Sequence, residues 1–397
     1  MNQFSRFFPI CLLLFATFFV ACDDDEPVTP IDPVEESELE GAVFTLTNDF
    51  DDNAVVFYER DEDGALTLVG TYSTGGQGFN INEPESPAFN DPLGSQGAIA
   101  MSPDREYLYA VNAGSNSVTS FRIEEDRLER ISTVSSGGMV PIAVTATNDN
   151  VYVVNNGGPG SVTAYSVDDG TLTTMNDGTT TLGREDGLGA ATVLVHPDGD
   201  YVVVTTKPDS KVILFETEGN GNLRSFTEMD AAGTTPFGSA WLNDDVLLTT
   251  EAFMGNMGEG ALTSYRLDDG ALTAVTPSLG TNQTASCWVV LSPDNEYAYT
   301  SNTPDGTITT FGVRNDGTLS TTSNDGANGT VPNAMGSFVL DMVTVDDDED
   351  YLYVVSNTNS QIVPFRIDGA NLVRMDEAII TDTNLLQTGR VTGLVGF

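Results

Sequence analysis

Histidine is nearly missing from this chain of 397 residues, which has one, His196, and cations are scarce, with 15 Lys plus Arg against 59 Asp plus Glu. A single imidazole with no second soft ligand beside it speaks against zinc or any other histidine–cysteine metal centre. There is no histidine-containing triad, nucleophile elbow or Gly-rich phosphate loop. The formal charge of −44 repels phosphate backbones, so nucleic acid is excluded as a partner, and the acidity reads as a solvated surface that keeps the protein soluble. Cysteine is nearly as rare: Cys11, Cys22 and Cys287 are all there is.

Long apolar runs are also few. The run Pro9 to Val20 follows Arg6 and is too short to span a bilayer comfortably, which marks residues 1–21 as a signal peptide. It closes on Phe19-Val20-Ala21-Cys22, which resembles a lipobox. Cleavage there would leave Cys22 acylated as the new first residue, the membrane partner being reached through that lipid. Cys11 would leave with the peptide, so Cys287 would stand alone in the folded part, no intrachain disulfide could form, and Cys287 reads as a small buried hydrophobe. Residues 22–40, opening with Asp23-Asp24-Asp25-Glu26, are acidic, Pro-rich and without apolar periodicity, and read as a disordered tether. An acidic run behind the lipidated cysteine resembles a surface-export signal. The expected location is the cell envelope, anchored to the outer membrane and surface-exposed, with a periplasm-facing protein as the alternative.

What the sequence does have is repetition. From residue 41 to 397 a period near 50 residues recurs, the signature of propeller blades or solenoid units. Its clearest element is an aromatic residue closing one strand and a leucine opening the next: Tyr58 and Leu66, Phe121 and Leu128, Tyr165 and Leu172, Phe215 and Leu223, Tyr265 and Leu272, Phe311 and Leu319, Phe365 and Leu372. Between them lie turns such as Asp168-Asp169-Gly170 and Asn315-Asp316-Gly317, where Gly or Asn supplies the positive φ of a tight hairpin. Upstream come a strand rich in β-branched and aromatic residues, as in Tyr107 to Asn112, and before it an apolar strand closed by Ser102-Pro103-Asp104, His196-Pro197-Asp198 or Ser292-Pro293-Asp294.

These are four strands per repeat, A (inner) to D (outer). The expected fold is all-β: a seven-bladed β-propeller of four-stranded antiparallel blades. The first repeat starts at a B strand, Gly41 to Leu46, and the chain finishes on the apolar segment Val391 to Phe397. That segment can supply the missing A strand and close the ring. A monomer is expected.

The stretch Ser102-Pro103-Asp104 through Tyr109-Ala110-Val111-Asn112 to Val118-Thr119-Ser120-Phe121-Arg122-Ile123 resembles the repeat of the seven-bladed propeller lactonase family, related to the propeller type of 6-phosphogluconolactonase and to 3-carboxymuconate cyclase. Blades four, six and seven are similar. The resemblance spans about residues 41–397 and implies a scaffold, on which many functions are carried. Family members that act on lactones show Pro-His pairs at the entrance of inner strands. Here those places read Ser95-Gln96-Gly97, Val140-Pro141-Ile142 and Thr235-Pro236-Phe237. The leading expectation is therefore a propeller that binds a small ligand, or a protein or glycan partner, at a mouth formed by its D–A and B–C loops. The alternative is a lactonase-class enzyme working in the central channel by lactone hydrolysis or cyclisation.

Function concentrates on loops held by a rigid scaffold. Three stretches stand out: residues 73–95, with Gln77, Glu83, Glu85 and Asp91; residues 177–189; and residues 251–260, with Phe253, Met254 and Met257. Arg184, Glu185, Asp186, Glu251 and Arg390 are the candidates for acid–base work or carboxylate binding, against the alternative that they merely solvate loops or pair with one another. Asp49, Asp51 and Asp52, with Asn53, form an oxygen-rich cluster that could take calcium, against the alternative of a plain B–C turn. No other cofactor is expected. His196 opens an A–B turn on the face opposite the presumed mouth and reads as structural.

Overall fold

In the computed structural model the described residues are 39–79, 91–184, 187–332, 338–346, 349–357, 361–381 and 391–397. Signal peptide, Cys22 and nearly all of the tether lie outside them. No helix among the described residues is long and apolar enough to cross a membrane.

The strands form seven antiparallel sheets, each with its strands in A-B-C-D order. Blade 2 shows the pattern: Ile99–Met101, Tyr107–Asn112, Ser117–Ile123 and Leu128–Ser135. Its A–B connection is the Pro-Asp turn, in which Arg105 N donates to Ser102 O at 2.9 Å and Arg105 takes a positive φ of 64°. The C–D turns behave as their sequences require. At Asp169-Gly170 both residues have positive φ, 48° and 73°, the double left-handed geometry whose twist matches the flanking strands. Blade 6 departs from the pattern: its D strand shrinks to Leu319–Thr321, and Gly329–Thr330 pairs with the upper part of the C strand instead.

The repeated aromatic and leucine signals have one cause. All seven aromatics are at most 1% exposed and all seven leucines at most 9%. Each leucine pairs across the hairpin next to the end of strand C, as Val167 with Leu172, so the solvent-facing D strand is pinned by a single apolar anchor. Tyrosines of strand B tie neighbouring blades together. Tyr152 Oη donates to Gly221 O at 2.8 Å, Tyr299 Oη to Gly369 O at 3.2 Å and Tyr353 Oη to Gly64 O at 2.8 Å. The last of these joins blade 7 to blade 1.

Ring closure is as expected. Thr392–Gly396 is the A strand of blade 1 and pairs with Ala42–Leu46, Phe44 opposite Val395 and Thr45 opposite Leu394. The amide of Ala42 and the carbonyl of Phe397 meet at 3.0 Å, and the reverse bond has the same length. Val391 and Leu394 are buried, whereas Val395 and Phe397 are half-buried, because the inner strand leaves one side on the channel.

Candidate functional site

The channel is crossed by the chain itself. Residues 91–97, between the D strand of blade 1 and the A strand of blade 2, lie over it and are fastened to five other blades. Ser95 Oγ donates to Ile142 O at 2.7 Å, Gln96 N to Ala191 O at 2.7 Å, and Trp288 Nε1 to Ser95 O at 3.2 Å. The Gln96 amide reaches across the axis: its Nε2 donates to Ser239 O and Val289 O at 3.1 and 3.2 Å, and its Oε1 accepts from Val289 N at 3.1 Å. Gly238 is required there, since a Cβ on it would lie 1.9 Å from Gln96 Oε1.

Below this strap the channel opens toward the A–B turns. A cavity of about 930 Å³ runs from Gln96 and Val290 out to the turn residues Asn148, Asp198 and Pro293. A second, of about 330 Å³, shares Gln96, Thr145, Leu194 and Val290 with it and is also walled by Asp341, Met342 and Val343. The face opposite the loops, which the sequence reading set aside, therefore carries the open end of this passage.

Three ionisable groups stand around the strap, Asp341 buried and Asp91 and Lys207 half-buried. Asp341 stands in the inner strand of blade 7, Val339–Val345, is 4% exposed, and has an unpartnered Oδ2. Burial pushes its carboxyl up to about 8, against the opposing pull of backbone amides of Gly97, Met342 and Gly393. Burial likewise raises Asp91 to about 6, with the Lys207 charge and the Gly94 amide holding it back. Lys207 is lowered by burial, while Asp91 works in the other direction. Its Nζ donates to Gly94 O and sits 5.0 Å from the Phe237 ring centroid, which joins the strap to blades 4 and 5. Cys287 is buried and free, and burial drives its thiol up to about 12, so it is an inert neutral filler.

The sequence candidates fall elsewhere. Glu251 is fully buried and enclosed by donors: Gly233 N and Thr263 Oγ1 at 2.7 Å on one oxygen, Ser278 Oγ at 2.6 Å on the other. Burial raises its carboxyl and those bonds oppose the rise. It holds the D–A loop onto the end of strand B, the place where blades 2, 3 and 6 carry Asn112, Asn155 and Asn302, and it lines neither channel cavity. Arg184 is bound to Asp209 at 3.0 Å and Glu228 at 2.9 Å on the outer part of blade 4, neither of them one of the other candidates. Glu185, Asp186 and Arg390 lie outside the described residues.

Asp49 spends its Oδ1 on the amides of Asp51 and Asp52, at 2.9 and 3.2 Å, and Asp52 accepts from Ser73 Oγ at 2.5 Å. Among the described residues no group of three or more His, Cys, Asp or Glu could hold a metal ion. His196 lines the larger cavity, with both ring nitrogens engaged: its Nε2 donates to Asp244 O at 2.7 Å, its Nδ1 accepts from Asp198 N at 3.2 Å, and its ring stands edge-on to Trp241. Asp341 and Lys207 were not among the sequence candidates. Both carried a signal: Asp341 interrupts the apolar inner strand Val339-Leu340-Asp341-Met342-Val343, and Lys207 is one of only two lysines in the chain.

Fold and channel together define a closed seven-bladed propeller with a ligand-sized axial cavity ending on a buried carboxyl group. The chain belongs to the family described as lactonase, 7-bladed beta-propeller, whose model matches residues 40–171 and 243–383. Among solved structures it is similar to a Bacteroides fragilis protein named provisionally as a 6-phosphogluconolactonase (17% identity, 91% of this chain and 99% of that one, TM-score 0.67). It is likewise similar to the periplasmic gluconolactonase PpgL of Pseudomonas aeruginosa (16% identity, 89% and 99%, TM-score 0.66) and to a Lactobacillus plantarum protein (17%, 90% and 99%, TM-score 0.66). Identities this low establish the fold alone. Comparison with curated proteins found no match.

Proposed function

We propose that the protein is a lactonase-class enzyme that hydrolyses a lactone in the axial channel, the alternative of the two functions expected from sequence. The observation that carries this reading is Asp341: a carboxyl group buried in the wall of a 330 Å³ cavity, kept protonated far above the ordinary carboxylate range by its surroundings, in a member of the lactonase propeller family. Family membership and the gluconolactonase relative favour hydrolysis over simple binding.

The chemistry needs one group that takes a proton from water and returns it. With Asp341 ionised, its carboxylate accepts a proton as the water oxygen bonds to the acyl carbon. As the ring C–O bond breaks, the same carboxyl gives that proton to the departing ring oxygen, and Asp341 is again a carboxylate. Lactone and water become a hydroxy acid, with no other reactant. Thr145 Oγ1 accepts from Val195 N at 3.2 Å, which leaves its own proton for a substrate oxygen. Gln96 is committed to blades 5 and 6 and serves as the floor.

The test is turnover of a panel of sugar lactones, followed by acid release over the spontaneous rate. Asp341→Asn should lower kcat by about 10²-fold or more, the usual range for an acid–base group, with an activity that rises as pH approaches 8 in the parent protein. A ligand that raises the melting temperature with no lactone turned over would return the first reading, a binding module.

The envelope location enters here also as a proposal, supported by the apolar run and the Ala21-Cys22 pair. Cys22→Ser should abolish acylation and membrane partition; a mutant that is still acylated refutes the anchor.

A further inference from the structure

Positive charge is distributed in this molecule in a way that bears on which lactone it takes. Apart from Arg6 and Arg390, every Lys and Arg of the chain lies among the described residues. Several are bound on the outer parts of the blades or behind the strap: Arg122 on Asp169, Arg184 on Glu228, Lys211 on Asp230, Arg374 on Asp376, Lys207 on Gly94. Arg105, over the Phe397 ring, lines an adjoining pocket of about 330 Å³ on the turn face. None of these cations lines either channel cavity. The charged groups that line the two cavities are acidic: Asp149, Asp198 and Asp200 stand exposed on the A–B turns at the mouth, and Asp341 is at the inner end, away from Arg105.

An acidic rim alone would be only a solvated face. The inner end is different, because Asp341 is more than nine-tenths buried, has an unpartnered oxygen, and belongs to the wall of the cavity. A substrate group brought there loses its water. An uncharged polyol can exchange that water for hydroxyl and carbonyl partners, whereas a phosphate dianion would have to be desolvated beside a carboxyl group with no cation to receive it.

We infer that the channel selects uncharged polyhydroxylated lactones and rejects phosphorylated ones. The inference rests on the lactonase reading and names its substrate class. It also orders the catalytic cycle. Hydrolysis converts a neutral ring into a carboxylate, so the product, unlike the substrate, is repelled by the walls that admitted its precursor, and leaves toward the turn face.

The experiment compares glucono-δ-lactone with its 6-phosphate, using the full chain at low and high salt. The neutral lactone should have a kcat/KM at least tenfold higher at about 0.02 M salt. The gap should narrow at about 0.5 M, where screening is short-ranged, and in the triple variant Asp149→Asn, Asp198→Asn, Asp200→Asn. Equal or better turnover of the phosphorylated lactone overturns the inference.

A binding arm separates it from the lactonase reading. Glucose and glucose 6-phosphate serve as unreactive ring probes in a thermal-shift titration. If neither lactone is turned over but glucose alone stabilises the protein, charge selection holds and hydrolysis falls. If glucose 6-phosphate stabilises it as well as glucose does, or neither sugar does, charge selection falls.

Discussion

Replacing Asp341 by Asn should change how stability depends on pH, and the size of the change follows from the carboxyl's burial. In the unfolded chain this aspartate ionises near its ordinary value of about 3.9; in the folded protein it keeps its proton up to about 8. Between those limits the unfolded state has released a proton that the native state still holds. Stability therefore falls as pH rises from about 4 to 8 and then levels off, with a slope of at most about 1.4 kcal/mol per pH unit from this group. Asn has nearly the same shape and no proton to lose. Going from pH 5 to pH 7, Asp341→Asn should gain up to about 2.7 kcal/mol relative to the parent. An unfolding entropy of roughly 0.75 kcal/mol/K for a propeller of about 360 residues makes this about 3–4 °C in Tm. Asp91, raised to about 6, adds a slope of the same sign that is common to both proteins and cancels in the difference. Scanning calorimetry of both at pH 5, 6, 7 and 8 measures it. Parallel Tm–pH curves would show that Asp341 ionises in the folded protein as freely as in the unfolded one, and both the buried-acid description and the acid–base role would fall.

Lys207→Met should destabilise by about 1–3 kcal/mol, because it leaves the half-buried Asp91 without the nearby cation and removes the bond to Gly94. Adding Asp91→Asn should recover most of that, and a double-mutant cycle by denaturant titration reads the coupling. Glu251→Gln should destabilise by about 1–3 kcal/mol through imperfect pairing with Gly233, Thr263 and Ser278, with lactone turnover per folded molecule unchanged; a loss of kcat without loss of Tm would restore it as a candidate for chemistry. Deleting residues 391–397 should abolish folding or leave an aggregating protein. It removes the inner strand of blade 1 with the buried Val391 and Leu394, each contributing about 1.5–3 kcal/mol, and bares a strand edge. A soluble monomer with unchanged Tm would refute the closure.

The architecture could be read directly because its determinants are local and repeated. An aromatic residue at the end of strand C, a leucine at the start of strand D and a turn residue able to take positive φ each act within about ten residues of one another, and seven copies reinforce the pattern. The unmatched first and last strands made the closure legible as well. The site was not local in this sense. Glu251 looked reactive because it is a carboxylate in a loop-flanked strand, and only the fold shows three donors from blade 5 and the preceding loop closing around it. Asp341 looked like one polar residue in an apolar strand.

Its chemistry comes from what the ring places beside it: the backbone of Gly97 in the strap, 244 positions earlier in the chain, and of Gly393 in the closing strand, 52 positions later. Lys207 acquires a role for the same reason, through Gly94 of another blade's connection. Sequence by itself determined the blades, their number and the closing strand, since hydrophobic and turn signals act through near neighbours. Only the tertiary structure decided which end of the channel is open and which carboxyl is buried there, because desolvation depends on every segment that converges on the axis.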